Sequence, residues 1–189
     1  ASAERIERVL ALDEREQVEE HPAGDSAYAV EFKDVSFSYG GDKEHLTGIS
    51  FALKRGASLG IIGPTGCGKS TIVNLLLRLY DADSGAVYVD GQDVRSLPSE
   101  KLRKKFGVVF QNGYLMAASI RENIDYGRDL PEEAIKRAAR CAQAEEFIAA
   151  LPDGYDHDLA QKAGNLSGGQ KQRLLIARAL AASPAVIVL

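Results

Sequence analysis

The sequence predicts an α/β fold, and three observations carry the prediction. Short apolar runs of strand length, "SLGIIG", "FGVVF" and "AVIVL", are spaced among helical stretches, as in a parallel sheet buried on both faces. A glycine-rich loop, "GPTGCGKST", joins the first run to "IVNLLLRLY", a helix apolar almost all round. Ahead of both lies a segment of alternating apolar residues, the pattern of an antiparallel sheet with one wet face.

Each element can be justified in order. "ASAERIERVLALDE" has helical spacing at Ala3, Ile6, Val9 and Leu10. The acidic stretch that follows, closed by Pro22 and Gly24, reads as a solvated linker with a domain boundary near Ser26. "YAVEFKDVSFSYG" sets Val30, Phe32 and Val35 among polar residues, and "LTGISFALKRG" repeats the pattern. "GAVYVDGQDV" predicts a hairpin turning at Asp90-Gly91. "FGVVFQ" is a short buried strand ending on Gln111. "PEEAIKRAARCA" starts a helix on Pro131 and two glutamates, with Ile135, Ala138, Ala139 and Ala142 on one face. A mostly helical insertion thus separates the strands at Val108–Phe110 and Ala185–Leu189. With no initial methionine and a last residue inside an apparent core strand, the chain reads as an internal piece of something longer.

Composition bounds the function. A chain of 189 residues holds one domain, or one domain with a small subdomain. Apolar residues at 45% and charged residues at 26% fit an ordinary globular protein. The net charge of −4 argues against a nucleic-acid partner, whose phosphates select basic surfaces. Two cysteines, Cys67 and Cys141, are too few for a disulfide framework or a zinc site and fit a reducing compartment. No apolar run is long enough to span a bilayer, and no cationic segment precedes one as in a signal peptide.

The loop carries the chemistry. Gly63, Gly68, Lys69 and Ser70 satisfy the G-x-x-x-x-G-K-[ST] pattern between a strand and a helix. Glycines at positions 63, 66 and 68 let successive N–H groups turn inward around an anion. The helix starting near Lys69 adds its positive dipole end, Lys69 reaches the outer phosphates, and the Ser70 hydroxyl ligates Mg²⁺. Cys67 inside the loop reads as a small filler whose bulky alkylation would block ATP. "NLSGGQKQRLLIARALAASP" starts a second unusual helix. Ser167 and Gln170 have capping-box spacing, yet Gly168 and Gly169 weaken a first turn unless the backbone must meet another molecule.

"LSGGQ" following a phosphate loop resembles the signature motif of ABC-family ATPases, and the resemblance covers Val30–Leu189. It implies a P-loop NTPase (RecA-like) core with an antiparallel β subdomain and a helical signature subdomain at about residues 112–182, incomplete at the C-terminus. Residues 1–25 would be the end of a transmembrane-domain helix plus linker, and 26–189 a partial nucleotide-binding domain. The family's ATP groups fall on Tyr39, which would stack on adenine, on Gly63, Pro64, Thr65, Gly66, Cys67, Gly68, Lys69, Ser70 and Thr71, and on Gln111. Ser70 and Gln111 would hold Mg²⁺. Two such domains dimerise head to tail in the family, so Leu166, Ser167, Gly168, Gly169 and Gln170 would serve ATP held by a partner domain. The "ASAERI" opening and "GVVFQNGYLMAASIRENI" resemble exporters, in which the transmembrane domain shares the polypeptide and the ATP site faces the cytoplasm. Gln161 stands where exporters usually carry an acid, which points weakly to a non-identical partner; homodimer and heterodimer both stay open.

By the same resemblance "VIVL" is the apolar part of the Walker B strand, after which the family places an aspartate and a glutamate. Those acids and the switch histidine are absent from the 189 residues, and His21, His45 and His157 lie too early to replace the latter. No catalytic residue is therefore assigned, and the expectation is an ATPase domain that binds without efficient hydrolysis. A non-transporting ABC ATPase and a regulatory subunit with a degenerate site are the alternatives.

Overall fold

The computed structural model describes residues 26–40 and 45–189, so the predicted N-terminal helix and its acidic linker, His21 included, lie outside the described residues. The chain divides into two compact units, one ending at Leu102 and the other running Arg103–Leu189.

The first unit contains the antiparallel sheet. Strand β1 (Tyr28–Phe37) pairs with β2 (Leu46–Lys54) on one side and β3 (Ser84–Val89) on the other, and β4 (Gln92–Asp93) completes the order β2-β1-β3-β4. Val30 and Phe32 are buried at even positions, Val35 and Phe37 at odd ones. A strand of strict period two could not bury all four. The register shifts between Phe32 and Val35, where Asp34 takes φ 50°, so this bulge switches which parity faces the core. Phe32 also stacks on its cross-strand partner Phe51, centroids 4.6 Å apart. The hairpin turns at Asp90-Gly91 as predicted, with φ 53° and 78°, the two positive angles of a type I′ turn.

Helix α1 (Lys69–Leu76) follows the glycine-rich loop and buries Thr71, Ile72, Leu75 and Leu76. It is shorter than the apolar run to Tyr80 predicts. Leu79 N–H donates to the Asn74 carbonyl at 2.8 Å and Arg78 N–H to Leu75 at 3.0 Å, a Schellman closure around Arg78 at φ 50°. The Arg78 side chain, held by Asp81 Oδ1 and the Leu97 carbonyl at 3.1 Å each, accompanies this unusual backbone. Leu79 and Tyr80 are left exposed. A second correction concerns "SLGIIG". Residues 58–63 form no strand, and Ile62 is 98% exposed. The sheet of this unit is antiparallel and the segment joins neither of its edges, so it gains neither a ladder nor a covering layer.

The second unit is mainly helical. After α2 (Ser99–Lys104), β5 (Phe106–Val108) pairs in parallel with β6 (Val186–Val188), and α3 (Ile120–Asp125), α4 (Glu132–Cys141), α5 (Glu145–Ala149) and α6 (Gly168–Ala181) lie between them in sequence. The two apolar runs pair in parallel, in keeping with the parallel sheet expected for them. The expected burial of β6 on both faces is not found: Ile187 and Leu189 are exposed, and among the described residues β5 is the one strand paired with it. Helix α4 begins after Pro131 with Glu132 and Glu133 in its first turn and buries Ile135, Ala138 and Ala139. Those side chains meet Ile120, Ile124, Ile148, Leu166, Leu174 and Ala177 in one apolar core.

Candidate nucleotide site

The loop between Gly63 and Ser70 has the backbone its glycines allow. Gly66 and Gly68 take φ 83° and 95°, and Cys67 N–H closes a turn on the Pro64 carbonyl at 3.3 Å. Gly68 precedes α1, and a Cβ there would lie 2.6 Å from Leu46 Cδ2 and 3.1 Å from the His45 carbonyl. No side chain caps α1 and no acid occupies its first turn, so its leading N–H groups are left for an anion. The Lys69 ammonium folds back over the loop, donating to the Gly63 carbonyl at 2.7 Å and the Pro64 carbonyl at 2.9 Å. Pro64 and Thr65 are exposed on the loop, as is Ser70 in the first turn of α1.

Cys67 fills this loop from within. Its Sγ lies 3.6 Å from Lys69 Nζ and would be 2.6 Å from a Cβ at Gly63. The thiol is exposed, and a bulky adduct on it would stand beside Lys69 at the mouth of the loop. In a Cys141→Ser background, complete alkylation of Cys67 is expected to abolish ATP binding measured by equilibrium dialysis; full affinity after modification contradicts this.

Tyr39 stands two residues beyond β1, and the fold brings it over α1. Its hydroxyl donates to Thr71 Oγ1 at 3.2 Å and accepts from Asn74 Nδ2 at 2.9 Å. Phe37, Tyr80 and His45 surround the ring edge-on or tilted, with centroids 4.8, 5.0 and 4.9 Å away. His45 is therefore a neighbour of Tyr39, and its Nδ1 accepts from the Tyr39 N–H at 3.4 Å. Asn74 and Tyr80 were missed altogether. Asn74 had a usable signal, since it lies three residues after Thr71 and so shares its helix face.

The remaining predicted residues belong to the second unit. The strand before Gln111 ends earlier than predicted: Val109 N–H still reaches the Val188 carbonyl at 2.9 Å, but Gln111 itself sits exposed in a turn. Strand β5 runs against α6, since a Cβ at Gly107 would lie 2.6 Å from the Ala179 carbonyl, an approach only glycine permits. At the start of α6 the capping box is formed: Ser167 N–H donates to Gln170 Oε1 at 2.8 Å, and Gln170 N–H to Ser167 Oγ at 3.3 Å. Gly168 and Gly169 have no atom within 4 Å of an added Cβ. Leu166 differs from its neighbours in the motif, being 7% exposed and part of the apolar core, so its side chain anchors the motif.

Chemically this is a site for a triphosphate. It offers glycine-loop amides, a lysine, hydroxyls at Ser70 and Thr71 and a half-exposed aromatic. Among the described residues no three His, Cys, Asp or Glu cluster to hold a metal. A hard oxygen donor such as the Ser70 hydroxyl suits Mg²⁺ that brings phosphate oxygens as its other ligands. Loop, helix and aromatic together define a phosphate-loop nucleotide-binding domain. The sequence profile of the ABC transporter family matches residues 46–189, and the chain belongs to that family. It is 41% identical over 98% of its length to a beta-(1-->2)glucan export ATP-binding/permease protein of Rhizobium johnstonii. To an ATP-dependent lipid A-core flippase of Desulfotalea psychrophila it is 41% identical over 100% of its length. The chain spans 32% and 33% of these two relatives, about a third of each. A bacterial Atm1-family ABC exporter solved with ATP bound superposes with TM-score 0.86 at 39% identity, over 98% of this chain and 33% of that one. No helix among the described residues is long and apolar enough to cross a membrane.

Proposed function

We propose that the chain is the ATP-binding domain of an exporter and acts as one half of a head-to-tail pair. Each half binds ATP and Mg²⁺ through Tyr39, the loop from Gly63 to Thr71 and Gln111, and the signature of its partner closes over the triphosphate. The observation that carries this reading is the open surface at Gly168 and Gly169. Their own packing would admit side chains, and the helix cap is already made by Ser167 and Gln170. Two glycines that weaken a first turn without an internal reason fit a backbone reserved for another molecule.

Relatives named as ATP-binding/permease proteins favour a transmembrane domain on the same polypeptide, with this domain on the cytoplasmic face, over a non-transporting ATPase. The partner domain is a second copy or a relative. Turnover would draw on the acids that the family places after a strand such as β6.

Gly168→Val tests the pairing. The added methyls enter open space, so the thermal midpoint should stay within about 2 °C of the parent, a shift worth about 1 kcal/mol at most. ATP-driven association of the domains, followed by light scattering or cross-linking in the intact protein, should be lost. Undiminished association would remove the head-to-tail reading.

A further inference from the structure

We propose that Asn74 is a positioning residue for base recognition, fixing Tyr39 and Thr71 as one hydrogen-bonded relay. The inference rests on the nucleotide reading above and deepens it, because it assigns what holds the base-recognising ring in place.

The geometry is directional. An amide nitrogen only donates, so Asn74 Nδ2, 2.9 Å from the Tyr39 oxygen, occupies a lone pair of that hydroxyl and leaves its proton for another acceptor. That acceptor is Thr71 Oγ1 at 3.2 Å. Having accepted, the Thr71 hydroxyl keeps its own proton, as it would without the relay. Thr71 is buried in α1 directly after Ser70, at the phosphate end of the helix. One relay therefore runs from the amide of Asn74 through the aromatic to a hydroxyl beside the phosphate loop.

The same bonds set the ring. Phe37 and Tyr80 stand at 88° to Tyr39 and His45 at 82°, so none of the three lies flat on it. Tyr39 is 44% exposed. Those three contacts and the hydroxyl tether together orient the ring, and α1 supplies both ends of the tether. Holding it in place before the base arrives lowers the ordering cost of binding, roughly a threefold to tenfold gain in affinity for one immobilised side chain.

The experiment measures binding of ATP and of inorganic tripolyphosphate, which has no base, to the intact protein. Asn74→Leu is expected to weaken ATP roughly threefold to tenfold and leave tripolyphosphate unchanged. Tyr39→Phe keeps the ring and deletes the tether, so it should show the same selective loss. The double variant should lose no more than either single one, because both break one relay. Equal weakening of both ligands by Asn74→Leu, additive losses in the double variant, or unchanged ATP affinity in Tyr39→Phe each overturn the proposal. Should Asn74→Leu fold poorly, Tyr39→Phe still decides. Tyr39→Ala separates the two readings: if it leaves the ATP-to-tripolyphosphate ratio unchanged, base stacking on Tyr39 falls and the relay with it. If that ratio drops while Asn74→Leu has no effect, the relay alone falls.

Discussion

Lys69→Ala is expected to lower ATP affinity roughly a hundredfold or more while leaving the fold intact. The Lys69 ammonium spans the loop, with the Gly63 and Pro64 carbonyls 2.7 and 2.9 Å from Nζ. Removing it takes away the cation that neutralises phosphate charge and the clasp that holds the loop around it. Hydrogen bonds involving a charged group contribute about 1.5–3 kcal/mol each, so two bonds from the ammonium to phosphate oxygens are worth about 3 kcal/mol or more, a hundredfold or greater change in affinity. Lys69 is no part of the apolar core, so thermal unfolding should move little. Lys69→Arg should rescue poorly despite keeping the charge, because a planar guanidinium is too wide for the gap that a compact ammonium occupies between those carbonyls. Calorimetric titration of the three proteins decides. Unchanged affinity in Lys69→Ala would remove the nucleotide site from this loop.

What the sequence made legible is what short-range physics determines. The Asp90-Gly91 turn, the start of α4 at Pro131 and the Ser167–Gln170 box each depend on a few adjacent residues, and each stands where the pattern placed it. Alternation in β1 pointed to Val30, Phe32 and Val35, although the bulge at Asp34 that lets both parities face inward has no signal of its own. The misses come from tertiary context. "SLGIIG" has the composition of a buried strand, but burial is conferred by neighbours, and the sheet of its unit offers it none. The end of α1 was hidden because the left-handed residue that closes it is Arg78, where a glycine would have announced the stop. Around Tyr39, residues 37, 45, 74 and 80 converge from β1, the start of β2, and helix α1 with its exit. Only the family resemblance singled out Tyr39; the relay around it belongs to the fold.

Asn123→Ala is expected to cost the second unit about 3 kcal/mol or more, the largest stability effect of any single polar residue there. Asn123 is fully buried at 0% exposure. Its Oδ1 accepts from Met116 N–H at 2.8 Å, and its Nδ2 shares two protons among the carbonyls of Met116, Ala118 and Ser119 at 3.0 to 3.3 Å. From α6, Arg178 donates to the Asn123 carbonyl at 2.7 Å, to Oδ1 at 2.9 Å and to the Tyr114 carbonyl at 2.9 Å. Truncation strands the Met116 N–H and one arm of a guanidinium whose pKa burial already pushes down. The face of Tyr126, 4.5 Å from that guanidinium, cannot replace an acceptor in the plane of the fork. Because the chain has two compact units, a single unfolding midpoint would blur the effect, and hydrogen exchange resolves it. Amides of α3 and α6 should lose protection by about two orders of magnitude, while those of β1 to β3 keep theirs. A loss below about tenfold in α6 would mean that the apolar core alone holds the helix. The consequence reaches function through one element, since α6 carries the signature glycines at its first turn and Arg178 near its last. A helix released at Arg178 presents Gly168 and Gly169 less rigidly, so ATP-driven association should weaken in Asn123→Ala even though that residue touches no nucleotide.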